Sequence, residues 1–278
     1  CIRDSYDQLP STFPSLAQPT PRPDPKIEQD RLLRRILTAG GFSEAATFTF
    51  IEKKQAQRFS EASDLVPIEN PLSEKFSVLR PLITPGLIEA VAHNYHRERQ
   101  DVQLFEIGAC FSKQGGERQA LGLIWTGAAT PNHWSTSNRN VDLYDIIGIV
   151  ERLCLAFGVK ALFTPTFRDY LVEGHTATIT KNKVANGTPD PLPLEKPPSL
   201  GQLGQLSPSI AEAYGFRNKE KIYVAEFDLS SLKEDLDNVP DNVYVQPLPR
   251  YPSIIRDVSI IVDETLPASA VRDTIGAV

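Results

Sequence analysis

The spacing of apolar positions changes several times along the chain, and each change marks an element. Between Pro25 and Ala39, Ile27, Leu32, Leu33, Ile36 and Leu37 recur at helical spacing. They predict a helix that starts on Pro25 behind Asp24 and stops at Gly40-Gly41. Within residues 42–51, Thr47-Phe48-Thr49-Phe50 alternates as a half-buried strand does. A second helix is predicted from Thr84 as N-cap, with Pro85 at its first position and Leu87, Ile88, Val91, Ala92 and Tyr95 on one face. Residues 102–111 and 120–127 read as an antiparallel hairpin around a polar turn at 113–118. Asp142 opens a third helix, with Ile146, Ile147, Val150, Leu153, Cys154 and Phe157 as its core stripe and Gly158 as its stop.

Further strands are predicted near 161–168, 176–181, 200–206 and 222–229, with short helices after Ser207-Pro208, closed by Gly215, and over 230–236. Proline-rich stretches interrupt the pattern at 1–25 and 186–198, and 239–249 reads as a linker. The last segment, 253–278, reads as one strand over 258–262 and one helix after Pro267, too short to bury a core alone. The pattern therefore divides into a tail and linker (1–25), one large α+β domain (26–238), and a linker with the start of another domain (239–278).

Composition narrows the function classes. The 278 residues carry a net charge of −6 and a pI of about 5.4, so any contact with nucleic acid must be local. No apolar run approaches the roughly 20 residues of a membrane span, and no signal peptide is expected at the start. Cys1, Cys110 and Cys154 are too scattered for a disulfide framework or a zinc site, which suits a reduced, cytoplasmic protein. Methionine is absent.

Most catalytic templates find no match. His93, His96, His133 and His175 share no metal-ligand spacing, and neither GxSxG nor a Walker loop occurs. His93 and His96, at i and i+3, read as surface histidines. Lys53, Lys54, Arg58 and the run His96–Arg99 could touch phosphate. Glu52, Glu98 and Asp101 interleave opposite charge, however, so a solvated face is the simpler reading. Trp125 and Phe105 read as core, and Trp134 as a packing anchor in a polar loop.

Five motifs in order carry a resemblance. They are residues 70–111, NPLSEKFSVLRPLITPGLIEAVAHNYHRERQDVQLFEIGACF; 141–148, VDLYDIIG, similar to VDFYDxKG; and 201–208, GQLGQLSP, similar to iGxiGxLHP. The others are Glu226-Phe227-Asp228-Leu229 and 251–258, YPSIIRDV, similar to yPavrRDla. Together they resemble the β subunit of bacterial-type phenylalanyl-tRNA synthetase. Ser207 stands where that family usually has His, and Gly174-His175-Thr176-Ala177 only loosely matches HPGxsA.

The resemblance implies a class II aminoacyl-tRNA synthetase-like antiparallel sheet with flanking helices, catalytically degenerate, followed by the start of a ferredoxin-like anticodon-binding domain. It implies part of an α2β2 heterotetrameric, cytoplasmic ligase that uses ATP and Mg2+ to attach phenylalanine to tRNA-Phe, with adenylation in the α subunit. A magnesium site associated with the preceding domain would have only Asp4 and Asp7 as neighbours here, and an editing domain would lie upstream.

In active class II cores an Arg on the motif 2 strand holds the ATP α-phosphate and a motif 3 Arg holds the γ-phosphate. The corresponding motif 2 position would be Ser112, with Gln114 at the following acidic position; the nearest motif 3 equivalent, 225–232, has neither Gly nor Arg, and its Asp228 would repel phosphate. No catalytic residue, no metal site and no cofactor of its own is therefore expected in this chain. Arg80 occupies a ligand-like position, either contacting a ligand or paired with a local carboxylate. Leu32, Leu33, Ile36 and Leu37 are candidates for the subunit interface, because class II folds use this helix and the next strand there. Arg256 is the candidate for tRNA contact, with an Arg-Asp ion pair as its alternative. The role implied is docking the α subunit and positioning tRNA-Phe. The alternatives are a stand-alone synthetase-like binding or regulatory protein, or a class II ligase whose motifs are displaced.

Overall fold

Long alternating strands in the middle of the chain build the structure around one twisted sheet. The computed structural model describes residues 12, 25–131, 133–135, 138–182, 199–217, 220–233, 254–264, 266 and 268–276. The expected tail and linker at 1–25, apart from residues 12 and 25, lies outside these, as do the whole loop at 186–198 and the linker at 239–249. The chain divides into two compact units, Cys1–Val239 and Pro240–Val278.

In the first unit the elements run α1 (Pro25–Ala39), β1 (Ser43–Glu44), β2 (Phe50–Ile51), α2 (Lys53–Ala56), β3 (Val78–Leu79), α3 (Thr84–Tyr95), β4 (Val102–Ser112) and β5 (Gly116–Thr126). They continue through α4 (Leu143–Ala156), β6 (Lys160–Pro165), β7 (Leu171–Asn182), β8 (Ser199–Leu206), α5 (Pro208–Ala213), β9 (Ile222–Asp228) and α6 (Leu229–Lys233). Seven strands form one sheet in the order β1-β4-β5-β9-β8-β7-β6. Only β1 pairs in parallel, with β4, and every other neighbour is antiparallel.

Alternation puts opposite chemistry on the two faces of this sheet. Phe105, Leu121, Leu123, Trp125, Tyr223, Ala225 and Phe227 join one core with Leu33 and Leu37 of α1 and Ile146, Val150 and Leu153 of α4. The opposite face packs under α3, where Ile83, Leu87, Ile88 and Val91 meet Ala120, Ile124 and Val224. Gly122 permits that contact, since a Cβ there would lie 2.7 Å from Cγ2 of Ile83.

Five expectations need correction. Thr47-Phe48-Thr49-Phe50 does not run as one strand: only Phe50-Ile51 pairs, with β3, because Thr47 turns its amide and hydroxyl to Glu106. Thr84 is the first residue of its helix rather than its cap, and its hydroxyl donates to Glu226 Oε2 at 2.9 Å. The strand expected near 161–168 ends at Pro165, whereas the one expected at 176–181 spans Leu171–Asn182. Residues 258–262 form no strand; they are exposed, and among the described residues no partner strand satisfies their backbone. The helix expected after Pro267 is α7 (Ala268–Gly276), in the second unit.

Candidate functional site

The polar residues of the sheet gather on the face beneath α3. Cross-strand pairing places Glu106, Gly122, Glu226, Gln202 and Thr178 in one row across β4, β5, β9, β8 and β7. Gly108, Ala120 and Asp228 form the next row, and Cys110 faces Arg118 beyond it. Two carboxylates thus enter the interior, with side chains only 5% and 4% exposed, and each needs a partner there.

Glu106 is matched by Arg80. The Arg80 Nη1 donates to Glu106 Oε1 at 2.7 Å and to the Thr47 hydroxyl at 3.0 Å, and its Nε donates to the Ala109 carbonyl at 2.8 Å. Thr47 closes the ring by donating to Glu106 Oε2 at 2.7 Å. The guanidinium lies against Gly108, where a Cβ would come within 2.2 Å of Nη2, so this approach requires glycine. Arg80 is 2% exposed and sits in a closed polar network.

Glu226 ties the sheet to α3. Its Oε2 accepts from the backbone amides of Ile83 and Thr84, at 3.0 and 3.1 Å, and from the Thr84 hydroxyl. A carboxylate at the first turn satisfies free amides and meets the positive end of the helix dipole. Its Oε1 accepts from Arg118 Nη2 at 2.9 Å, with the Cys110 thiol 3.9 Å away. Burial, then the charge of Glu226, pushes the Cys110 thiol far above its ordinary range. Burial, the largest single influence, works against the charge of Arg118, but Glu226 together with Cys110 and Asp228 outweighs it and raises the pKa.

At the end of this row lies a cleft of about 220 Å³ lined by Leu82, Arg118, Arg168, Ser199, Leu200, Gly201, Gln202, Glu226 and Asp228. Arg168 leans over Gln202, donating from Nε to Oε1 at 2.6 Å. A larger groove of about 640 Å³ lies among Phe48, Phe50, Lys54, Arg58, Lys75, Phe76, Gly86, Glu89 and Tyr214. There Phe48, 72% exposed, rests edge-on against Phe76 with ring centroids 5.5 Å apart, and Arg58 lies 5.9 Å over the Tyr214 ring.

The residues singled out from sequence do not converge. Ser112 and Gln114 sit at the tip of the β4–β5 hairpin: Ser112 Oγ accepts from the Gly115 amide, and the Gln114 amide donates to Asp64. Leu33 and Leu37 are wholly buried in their own core and have no surface for a partner, which corrects their assignment to an interface; Leu32 and Ile36 are half-buried against that core. Arg256 is exposed and, among the described residues, makes no ion pair with Asp257. His93, His96, His133 and His175 are exposed, and no group of three potential metal ligands occurs among the described residues. Trp134 is 92% exposed, its ring 5.4 Å from that of His133, whereas Trp125 and Phe105 are core.

Sequence reading assigned no role to Arg118, Arg168, Gln202 or Glu226, although Gln202 and Glu226 fall within its motifs. Glu226 carried a usable signal, since Ala225-Glu226-Phe227 places a carboxylate inside an apolar strand, as Phe105-Glu106-Ile107 does. Arg118 carried none, because a turn-flanking Arg is ordinary surface until the register is known.

Ser112 and Gln114 carry no cation, Glu226 takes Nη2 of Arg118, and Asp228 adds negative charge to the cleft wall. The cleft is also smaller than the roughly 300–1,000 Å³ of pockets for drug-sized ligands.

Comparison with known proteins places the chain more narrowly. The family profile described as phenylalanyl tRNA synthetase beta chain CLM domain matches residues 9–229. The chain is 30% identical over 278 residues to the phenylalanine--tRNA ligase beta subunit of Geobacillus kaustophilus, covering 97% of this chain and 32% of that protein. It is 31% identical to that of Bacillus licheniformis with the same coverage, and 31% identical over 267 residues to that of Hahella chejuensis, covering 94% and 31%. It thus spans about a third of the length of these curated relatives. A solved pyrrolysyl tRNA synthetase from Desulfitobacterium hafniense shares the fold, with a TM-score of 0.53 and 18% identity over 75% of this chain and 67% of that one. At that identity the likeness is one of fold alone, and it agrees with a class II-like core.

Proposed function

Since the chain belongs to the phenylalanyl-tRNA synthetase beta chain family, we propose that it is a non-catalytic part of a phenylalanine–tRNA ligase. Its role is to dock the catalytic α subunit and help position tRNA-Phe, while ATP and Mg2+ act in the complete enzyme. The observation that carries this reading is the closed state of the sheet's polar face. Both buried carboxylates there have arginine partners within the chain, Arg80–Glu106 at 2.7 Å and Arg118–Glu226 at 2.9 Å. A catalytic face needs donors aimed at charge that develops during reaction. Arg80 and Arg118 are instead each paired with a resident glutamate, Arg118 through Nη2, and the hairpin tip offers Ser112 and Gln114.

A docking role suits what remains exposed. Phe48 and Phe50 present aromatic surface beside Lys54, Arg58 and Lys75, the composition that partner surfaces favour. The cytoplasm and an α2β2 assembly belong to the same reading, as does a ferredoxin-like start to the second unit. Co-expression with a tagged α subunit of the same organism tests it. A stoichiometric complex surviving gel filtration is expected, and Phe48→Ser with Phe50→Ser should weaken it. Recovery of the α subunit free of this chain would contradict docking.

A further inference from the structure

The seven-stranded sheet ends differently at its two edges. At one edge stands β1, two residues long, with its Glu44 held by Arg34 at 3.0 Å. At the other stands β6, six residues long, with Ala161, Leu162 and Phe163 half-buried and no strand beyond it among the described residues. Short edges with charged side chains resist pairing with another chain, whereas longer apolar edges favour it.

The register fixes which backbone groups β6 leaves open. Pro165 lies opposite Ala177, so Thr166 follows opposite Thr176, and the Thr166 amide donates to the Thr176 carbonyl at 3.2 Å. Hydrogen-bonded pairs recur at every second residue of an antiparallel ladder, so Thr164 and Leu162 also bond inward to β7. The Thr180 hydroxyl, which donates to the Leu162 carbonyl at 3.5 Å, agrees with this phase. Ala161, Phe163 and Pro165 therefore turn their backbone groups away from β7. Pro165 has no N–H to leave open, and an edge position of this kind is where a sheet tolerates proline. The complete donor–acceptor sets left open are those of Ala161 and Phe163.

That pattern is its own complement. We propose that β6 pairs antiparallel with β6 of a second copy of this chain, about a twofold axis at Leu162. Ala161 of each copy then exchanges both backbone bonds with Phe163 of the other, and all of these donors and acceptors are satisfied. Ala161 and Phe163 both pack against the core under α4, so on that face a large ring lies opposite a small methyl. On the other face Leu162 meets Leu162 of the second copy, at a non-hydrogen-bonded position where cross-strand side chains come closest. Leu162 belongs to none of the apolar clusters, so its half-buried side chain is available for this contact. The two Lys160 residues lie roughly 14 Å apart along the pair, beyond the roughly 8 Å screening length of physiological salt. A pairing centred on Phe163 would instead leave the Ala161 carbonyls without donors, because Pro165 would stand opposite them. The inference goes beyond the docking of the α subunit, which uses Phe48 and Phe50, and depends on nothing in that reading.

The test is sedimentation equilibrium of the 278-residue chain from about 5 to about 500 µM, with hydrogen–deuterium exchange read at single-residue resolution at both ends of that range. A reversible dimer with Kd on the order of 100 µM is expected, weak because the interface is one pair of edge strands. Concentration should slow exchange at the Ala161 and Phe163 amides about threefold, while the Leu162 and Thr164 amides stay protected throughout. Leu162→Lys sets like charges face to face at the axis, and Ala161→Pro removes an open donor without touching the ladder to β7. Each should weaken the dimer about tenfold or more, with unchanged melting curves verifying that both variants fold. A chain that stays monomeric up to about 500 µM overturns the proposal. Association that survives both substitutions, or that protects neither open amide, also overturns it. Protection of those amides by added α subunit, in a chain that stays monomeric alone, would assign the edge to a strand of that partner instead.

Discussion

Arg80 and Glu106 neutralise each other where water reaches almost neither, and such a pair is expensive to break rather than strongly stabilising to have. Arg80→Ala strands a buried carboxylate and should cost about 3–5 kcal/mol in urea unfolding. The double change Arg80→Met with Glu106→Leu removes both charges and should recover much of that loss. Gly108→Ala should be destabilising in the wild type, where its Cβ meets the guanidinium at 2.2 Å, but milder in the double variant. Equal cost in both backgrounds would refute that steric account. The thiols make a second residue-scale prediction. Burial pushes Cys154 up to about 12 and Cys110 beyond, so with Cys1→Ser the native protein should not react with Ellman's reagent at pH 8. Rapid modification would contradict the burial of either. Sequence reading recognised Arg80 as unusual but left its partner open. The partner lies 26 residues away on another strand, and only the register of β4 brings Glu106 beneath it.

At the scale of elements, the most local signals were the most legible. Asp142 caps α4 as its sequence indicates, accepting from the amides of Tyr144 and Asp145 at 2.8 and 3.1 Å, while Asp145 reaches back to the Asp142 amide. Asp142→Ala should therefore cost about 1 kcal/mol. The hydrogen bond from Arg139, helped by the Asp142 amide, holds the Asp145 carboxyl below its ordinary pKa despite some burial. A carboxyl with a lower pKa folded than unfolded stabilises fully above the ordinary value of about 3.9 and loses that contribution as pH falls through the folded value. The difference in urea midpoint between wild type and Asp145→Asn should thus be present at pH 7 and shrink below about pH 4. A difference that grows on acidification would contradict the assignment. Expectations failed where a long-range contact decided: Thr47 is drawn out of its strand by Glu106, and Thr84 is drawn off capping duty by Glu226. Residues 258–262 are rich in β-branched apolar residues, as a strand is, but have no described partner, and composition alone makes no sheet.

Across the whole molecule, the three apolar clusters belong to the first unit, so removal of residues 240–278 should leave cooperative unfolding with Tm changed by less than about 3 °C. Loss of the transition would show that this unit is not self-sufficient. The class II-like sheet was legible because order, spacing and five motifs agreed; the cleft was not, because Arg118, Arg168 and Asp228 come from separate stretches that meet only through strand order. The proposed non-catalytic reading rests on the same placement, with the buried carboxylates matched by resident arginines and Ser112 and Gln114 at the hairpin tip. Phenylalanine-dependent ATP–pyrophosphate exchange tests this most directly, measured on the chain alone and on its complex with the α subunit. Exchange confined to the complex is the predicted result. Saturable exchange by the chain alone, abolished by Arg118→Ala in a variant that still folds, would show that this face is an active site after all.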